Sequence, residues 1–201
     1  MKANEFNNNR LNRRKQLYRL KLGLQQMINH PILNCLWIVF VIFIYALKAS
    51  IEQLRETVAI LIEIPAFKSI FEVSLKIAVI IIPTISVIAI IQFIGYCFAI
   101  RDESDLAIVF GDRRDVNNQF PILISKKHNR KTGVTKREFY TSIPMSRWQE
   151  KRDAICDRLN IHIIGDIMYG GKSHNKGNLI YLESAKGRKP IERGDLYDDE
   201  F

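Results

Sequence analysis

Twenty-four consecutive residues, Ile77 to Ile100 (IAVIIIPTISVIAIIQFIGYCFAI), carry no charge. As a helix rising about 1.5 Å per residue, the stretch reaches roughly 36 Å, against a bilayer core about 30 Å thick. The alternative is the buried helix of a soluble protein. That helix would need far more apolar surface around it than the other residues offer, so the stretch reads as a membrane span. The residues before it read as an anchor, and those after it as a small soluble domain.

A second apolar stretch, Pro31 to Leu47 (PILNCLWIVFVIFIYAL), is short for a span. Pro31 suits a first helical turn, where its missing N–H has no partner to lose. Trp37 and Tyr45 stand toward its two ends, as interfacial aromatics do. A signal-peptide core is the competing reading. The long region ahead of it and the lack of A-x-A spacing around Ala46-Leu47-Lys48-Ala49 favour a retained span. Between the spans, Ile51, Leu54, Val58, Leu61 and Ile62 recur with helical spacing opposite Glu52, Arg55 and Glu56. This predicts an amphipathic helix that Pro65 ends.

The net charge of +9 is unevenly spread. Residues 1–30 carry seven basic residues against Glu5, whereas residues 31–100 carry four of each sign. The positive-inside rule then puts both termini in the cytoplasm and the inter-span connection outside. The Asn-rich residues 1–12 predict a flexible start. From Leu11 to Ile28, Leu17, Leu20 and Leu24 share a helical face. Arg13, Arg14, Lys15, Arg19 and Lys21 are the candidate membrane-surface contacts. They belong either to a helix lying on an anionic membrane face or to a plain positive-inside flank.

Within the second span, Pro83 removes one backbone hydrogen bond, with Thr84 and Ser86 placed to satisfy freed groups. Gln92 is its one strongly polar side chain, suited to a neighbouring helix or a second copy. Neither span holds a charge at mid-depth, which speaks against an ion or proton pathway.

From Arg101 the pattern changes. Ile108-Val109-Phe110 is a short apolar run before a turn at Gly111-Asp112. Phe120 to Ile124 reads as a strand, Lys126 to Arg137 as a basic hairpin connection around Thr132-Gly133, and Glu138 to Ile143 as the returning strand. Ser146-Arg147-Trp148-Gln149 has capping-box form and predicts a helix with Trp148, Arg152, Ile155 and Leu159 on one side. Ile161 to Ile167 and Asn178 to Ser184 complete a β-β-α-β-β order, a small sheet on one helix. The predicted fold is therefore a two-helix transmembrane hairpin plus a small cytoplasmic α+β domain. Its parts are a basic segment (1–30), the hairpin (31–100), the domain (101–190) and an acidic, disordered tail (191–201).

Catalytic signals are lacking. Gly171-Lys172-Ser173 resembles the end of a P-loop, but the required glycine falls on Asp166 and a strand comes next where a helix is needed. His30, His128, His162 and His174 form no metal-ligand spacing, and Cys35, Cys97 and Cys156 contain no C-x-x-C pair. No metal or cofactor is expected. The run Lys126, Lys127, Arg130, Lys131, Lys136 and Arg137 is a candidate contact for DNA or lipid phosphates, or else a solvated hairpin tip.

Several segments together point to a family. Two N-terminal spans precede Phe120-Pro121-Ile122-Leu123-Ile124. Glu138-Phe139-Tyr140-Thr141-Ser142-Ile143-Pro144, Trp148-Gln149-Glu150-Lys151, Arg158-Leu159-Asn160-Ile161 and Tyr169-Gly170-Gly171-Lys172 come after it. Over residues 32–190 the sequence resembles the region ahead of the motor in FtsK/SpoIIIE-type DNA translocases of Gram-positive conjugative elements, which act as coupling proteins. Ser142 stands where that pattern has a glycine, and no Walker A or Walker B segment is present. The resemblance implies only an anchor and adaptor portion, without catalysis of its own. It implies a multi-pass bacterial cell-membrane protein with partners among membrane lipid, membrane proteins of a transfer complex or a motor ATPase, DNA, and further copies of itself. The competing class is a membrane-tethered module that binds nucleic acid or anionic lipid through the basic hairpin.

Overall fold

A computed structural model of the chain describes residues 2–61, 65–111 and 120–188. The elements are α1 (Lys2–Asn29), a 3-10 turn (Pro31–Asn34), α2 (Cys35–Leu61), α3 (Pro65–Phe110), β1 (Ile122–His128), β2 (Val134–Tyr140), α4 (Met145–Glu150), α5 (Arg152–Leu159), β3 (Ile161–Ile163), β4 (Met168–Gly170) and β5 (Lys176–Lys186). The acidic tail lies outside the described residues.

Both apolar stretches are long helices. The most apolar 18-residue window of the first is 0% buried, and that of the second 11%. A core helix of a soluble protein would be mostly covered. Here Ile38, Val41, Ile42, Ile80, Ile85 and Phe93 are all exposed. α2 continues through the predicted amphipathic segment as far as Leu61, while Pro65 opens α3 instead of closing the helix before it. Far along the pair, Arg55 and Glu72 bridge α2 and α3 at 3.7 Å. Thr84 and Ser86 donate to the Ile80 and Ile82 carbonyls at 2.8 Å. The carbonyl that Pro83 deprives of its helical donor is instead that of Val79.

Two expectations about the helices need correction. The Asn-rich start is helical from Lys2. Once the later turns of α1 are docked, each further residue adds a hydrogen bond without a new nucleation cost, and this outweighs the weak propensity of asparagine. Moreover, α3 does not stop at Ile100. It runs 46 residues and carries Leu106, Val109 and Phe110 into the core of the sheet domain.

That core lies between one face of an antiparallel sheet and α3, α4 and α5. Trp148 and Phe139 are fully buried, and the Trp148 ring lies 4.9 Å from Phe110 and 5.7 Å from Phe139. The sheet order is β1-β2-β5-β3, with β4 also on β5. β3 and β4 share one edge of β5, pairing Ile163 with Ser184 and Met168 with Tyr181. The predicted strand Ile161 to Ile167 is thus two short strands, because Gly165 at φ 70° turns the chain between them. The predicted single helix is likewise two, α4 and α5, separated at Lys151. The capping box is not formed: Pro144 is the N-cap of α4, and no side chain caps it. The hairpin turn is tighter than its basic run. Asn129 Oδ1 accepts the Lys131 N–H at 3.0 Å, and Gly133 takes φ 67°.

α1 crosses α3 at two glycines. A Cβ on Gly23 would lie 2.0 Å from the Ile91 carbonyl oxygen, and one on Gly95 2.0 Å from that of Arg19. Only glycine allows backbones this close. Leu22 is fully buried at the crossing, and Met27, Ile91 and Ile94 form a second cluster beside it.

Candidate phosphate-binding groove and the acidic clamp beneath it

Three acids just past the apolar part of α3 hold the domain together. Asp102 is 3% exposed; it accepts from Arg137 Nε at 2.9 Å and pairs with Lys126 Nζ at 2.9 Å. Glu103 takes Arg19 Nη2 at 2.5 Å and the Leu123 N–H at 2.8 Å, and Lys15 stands 3.9 Å away. Asp105 accepts from Arg158 at 3.1 Å. One helical turn of α3 thereby grips α1, β1, β2 and α5. Sequence reading passed over these acids, since charges after a span look like ordinary solvated flank.

This clamp redistributes the basic candidates. Arg137, 7% exposed, also donates to Ser184, and so faces the core side of the sheet. Lys126 is held by Asp102, and its backbone by Gln25 and Gln26 of α1. Lys136 bonds Glu183 at 2.6 Å. Of the predicted hairpin cluster, Lys127, Arg130 and Lys131 remain without an acidic partner among the described residues, and all three are exposed. Of the α1 candidates, Arg19 does not face lipid. It is 5% exposed and lies 5.7 Å from the Tyr96 ring, with Nε and Nη1 unpartnered. Arg14 donates to the Tyr140 hydroxyl and stacks over its ring at 5.2 Å. Arg13 and Lys21 stay on the exposed side, together with Leu17, Leu24 and Ile28.

On the outer face of the sheet lies a groove of about 590 Å³ between α1 and the β4–β5 loop. Strand register builds its floor: Lys127 pairs with Lys136, and Glu138 with Tyr181. α1 supplies Tyr18 and Lys21 as one wall, and the loop supplies Lys172 and His174, with Lys176 at the start of β5, as the other. Lys21, Lys127, Lys172 and Lys176 have no carboxylate partner among the described residues. Glu138 is anchored to the loop, its Oε1 accepting the Gly171 N–H at 2.8 Å. A side chain at Gly170 would strike that carboxylate at 2.6 Å. The P-loop-like sequence is therefore a hairpin loop folded onto a glutamate.

Charge and burial shift four groups around the floor. The hydrogen bond from Lys136 holds the Glu183 carboxyl below the usual glutamate range, and the same bond raises Lys136. Burial raises the phenols of Tyr18 and Tyr181. Lysines converging without counter-charges make a receptor for phosphate oxygens. Sequence reading found Lys127 and Lys136 by their clustering. It weighed Lys172 only as the end of a P-loop and set it aside, and it missed Tyr18, Lys176 and Tyr181, which come from separate segments. Among the described residues no group of histidine, cysteine, aspartate and glutamate could hold a metal ion, and Cys35, Cys97 and Cys156 are free.

No family model matches the chain, and neither does any curated protein. Among solved structures, one described as the pCW3 conjugation coupling protein TcpA, monomer form with ATPγS, is similar at 20% identity and a TM-score of 0.37. The match covers 49% of this chain and 29% of that one, so this chain spans less than a third of that protein's length.

Proposed function

We propose that the chain is a two-span protein of the bacterial cell membrane with both termini in the cytoplasm, and that it serves as anchor and adaptor of a DNA-transfer apparatus without catalysis of its own. The observation that carries the membrane reading is exposure. α2 and α3 leave their apolar sides uncovered, while the acidic clamp, the sheet and the groove gather at one end of α3. α1 fits the membrane surface at that end, with Leu17, Leu24 and Ile28 exposed beside Arg13 and Lys21. The transfer setting comes from the sequence resemblance to the anchor region of conjugative translocases. Its partners on this reading are lipid, other membrane proteins or a motor ATPase of the complex, and further copies of the chain.

Cysteine labelling tests the topology. In a background with Cys35, Cys97 and Cys156 replaced by serine, Thr57→Cys is expected to react with an impermeant maleimide in intact cells. Ser173→Cys is expected to react only after lysis. Reaction of both from outside, or of neither, removes the two-span reading. The rival reading, a tethered nucleic-acid module, is favoured by Lys127, Arg130 and Lys131, exposed on the hairpin without an acidic partner among the described residues. It predicts binding of duplex DNA to the detergent-solubilised full chain that weakens steeply with salt. Salt-independent or absent binding eliminates it.

A further inference from the structure

We infer that the groove between α1 and the β4–β5 loop is a binding site for the phosphate headgroup of an anionic phospholipid. This rests on the membrane reading above and moves the anion contact away from the hairpin tip. Four lysines from α1, β1, the β4–β5 loop and β5 line one groove, and none is neutralised by a described carboxylate. Glu138, the one acid among the described lining residues, accepts the Gly171 N–H of the loop through Oε1. A phosphate diester brings negative charge for the lysines that Glu138 alone does not balance, and several ammonium donors can share its oxygens.

The groove wall on α1 distinguishes a lipid from other phosphates. Lys21 enters the groove between Leu17 and Leu24, its neighbours four residues back and three residues on. Those leucines are 66% and 45% exposed. A polyanion such as DNA has no use for this apolar rim, whereas the glycerol and first methylenes of a lipid do. The rim also lies close to the bilayer boundary: Gly23 and Arg19 touch α3 at Ile91 and Gly95, near the cytoplasmic end of the uncharged stretch. The site thus offers cations for the head and leucines for the tail of an interfacial lipid.

The test uses the full chain in vesicles of phosphatidylcholine, with or without phosphatidylglycerol, followed by detergent extraction and mass spectrometry of retained lipid. Wild type is expected to retain phosphatidylglycerol preferentially. Lys172→Gln/Lys176→Gln is expected to lower that retention by at least about tenfold, the scale of two lost charge-assisted contacts. Arg130→Gln/Lys131→Gln, the same change in charge at the hairpin tip, is expected to leave it within about twofold. Equal loss in both variants overturns the site in favour of diffuse attraction. Displacement of the lipid by inorganic phosphate or by a single-stranded oligonucleotide, with the same dependence on Lys172 and Lys176, overturns the lipid as occupant. Flotation with neutral vesicles but no phosphatidylglycerol preference defeats the groove proposal alone. Failure to float with any vesicle defeats the membrane reading and the lipid with it.

Discussion

Neutralising Asp102 would strand two cations at once. Arg137 is nearly buried, and its remaining partner is the Ser184 hydroxyl. Asp102→Asn is expected to lower stability by about 3–5 kcal/mol, the cost of leaving a buried charge unpaired. Chemical denaturation in detergent would measure it, and a change under about 1 kcal/mol would refute the clamp. Arg137→Met in the same chain is expected to restore much of the loss, since the buried guanidinium then disappears and Lys126, whose side chain is 25% exposed, can reach water. The Lys136–Glu183 pair makes a gentler, pH-dependent contribution. Glu183 is depressed in the folded state, so its stabilisation is present at neutral pH and fades as pH falls below the ordinary glutamate range. Lys136 is raised, so its share persists through neutral pH and is lost only in strong alkali. Both groups are largely solvated, so the effect is small. Glu183→Gln should flatten the acid limb of stability against pH, and an unchanged limb would show that the pair contributes nothing.

Among the elements, α1 depends on its contact with α3. Gly95→Leu would drive a side chain into the Arg19 carbonyl and Gly23, and α1 could not close. The expected result is faster amide exchange at Lys126, whose N–H donates to Gln25 of α1, with α2 and α3 still helical by circular dichroism. Unchanged exchange would mean that the docking tolerates separation. This level also marks how far the sequence could be read. The apolar helices were legible because an uncharged run has few other uses. The β1–β2 hairpin was legible because Pro121 and Gly133 punctuate it. Nothing local in Gly23 or Gly95 announces a crossing, because each glycine acquires meaning only opposite the other. The split at Gly165 was hidden for a related reason, as Ile161 to Ile167 is apolar enough for one strand while the positive φ comes from the way β3 and β4 share β5. The groove lay beyond reach because strand pairing, not sequence proximity, sets Tyr181 beside Glu138 and brings the β4–β5 loop over the Lys127–Lys136 pair.

In the molecule as a whole, α3 joins the apolar region to the sheet domain through described, helical residues. α3 leaves the apolar region and enters the sheet domain as one helix, from Thr84 to Phe110 without a proline, and Asp102, Glu103 and Asp105 fasten the domain to it within a single turn. On the two-span reading, α3 then acts as a drive shaft without a universal joint. A long apolar helix meets a thinner bilayer by tilting, and such a tilt would turn the sheet with it instead of being absorbed at the membrane surface. Bilayer thickness would thereby set the direction in which Lys172 and Lys176 face, steering whatever is held beneath the membrane through the pitch of its anchor.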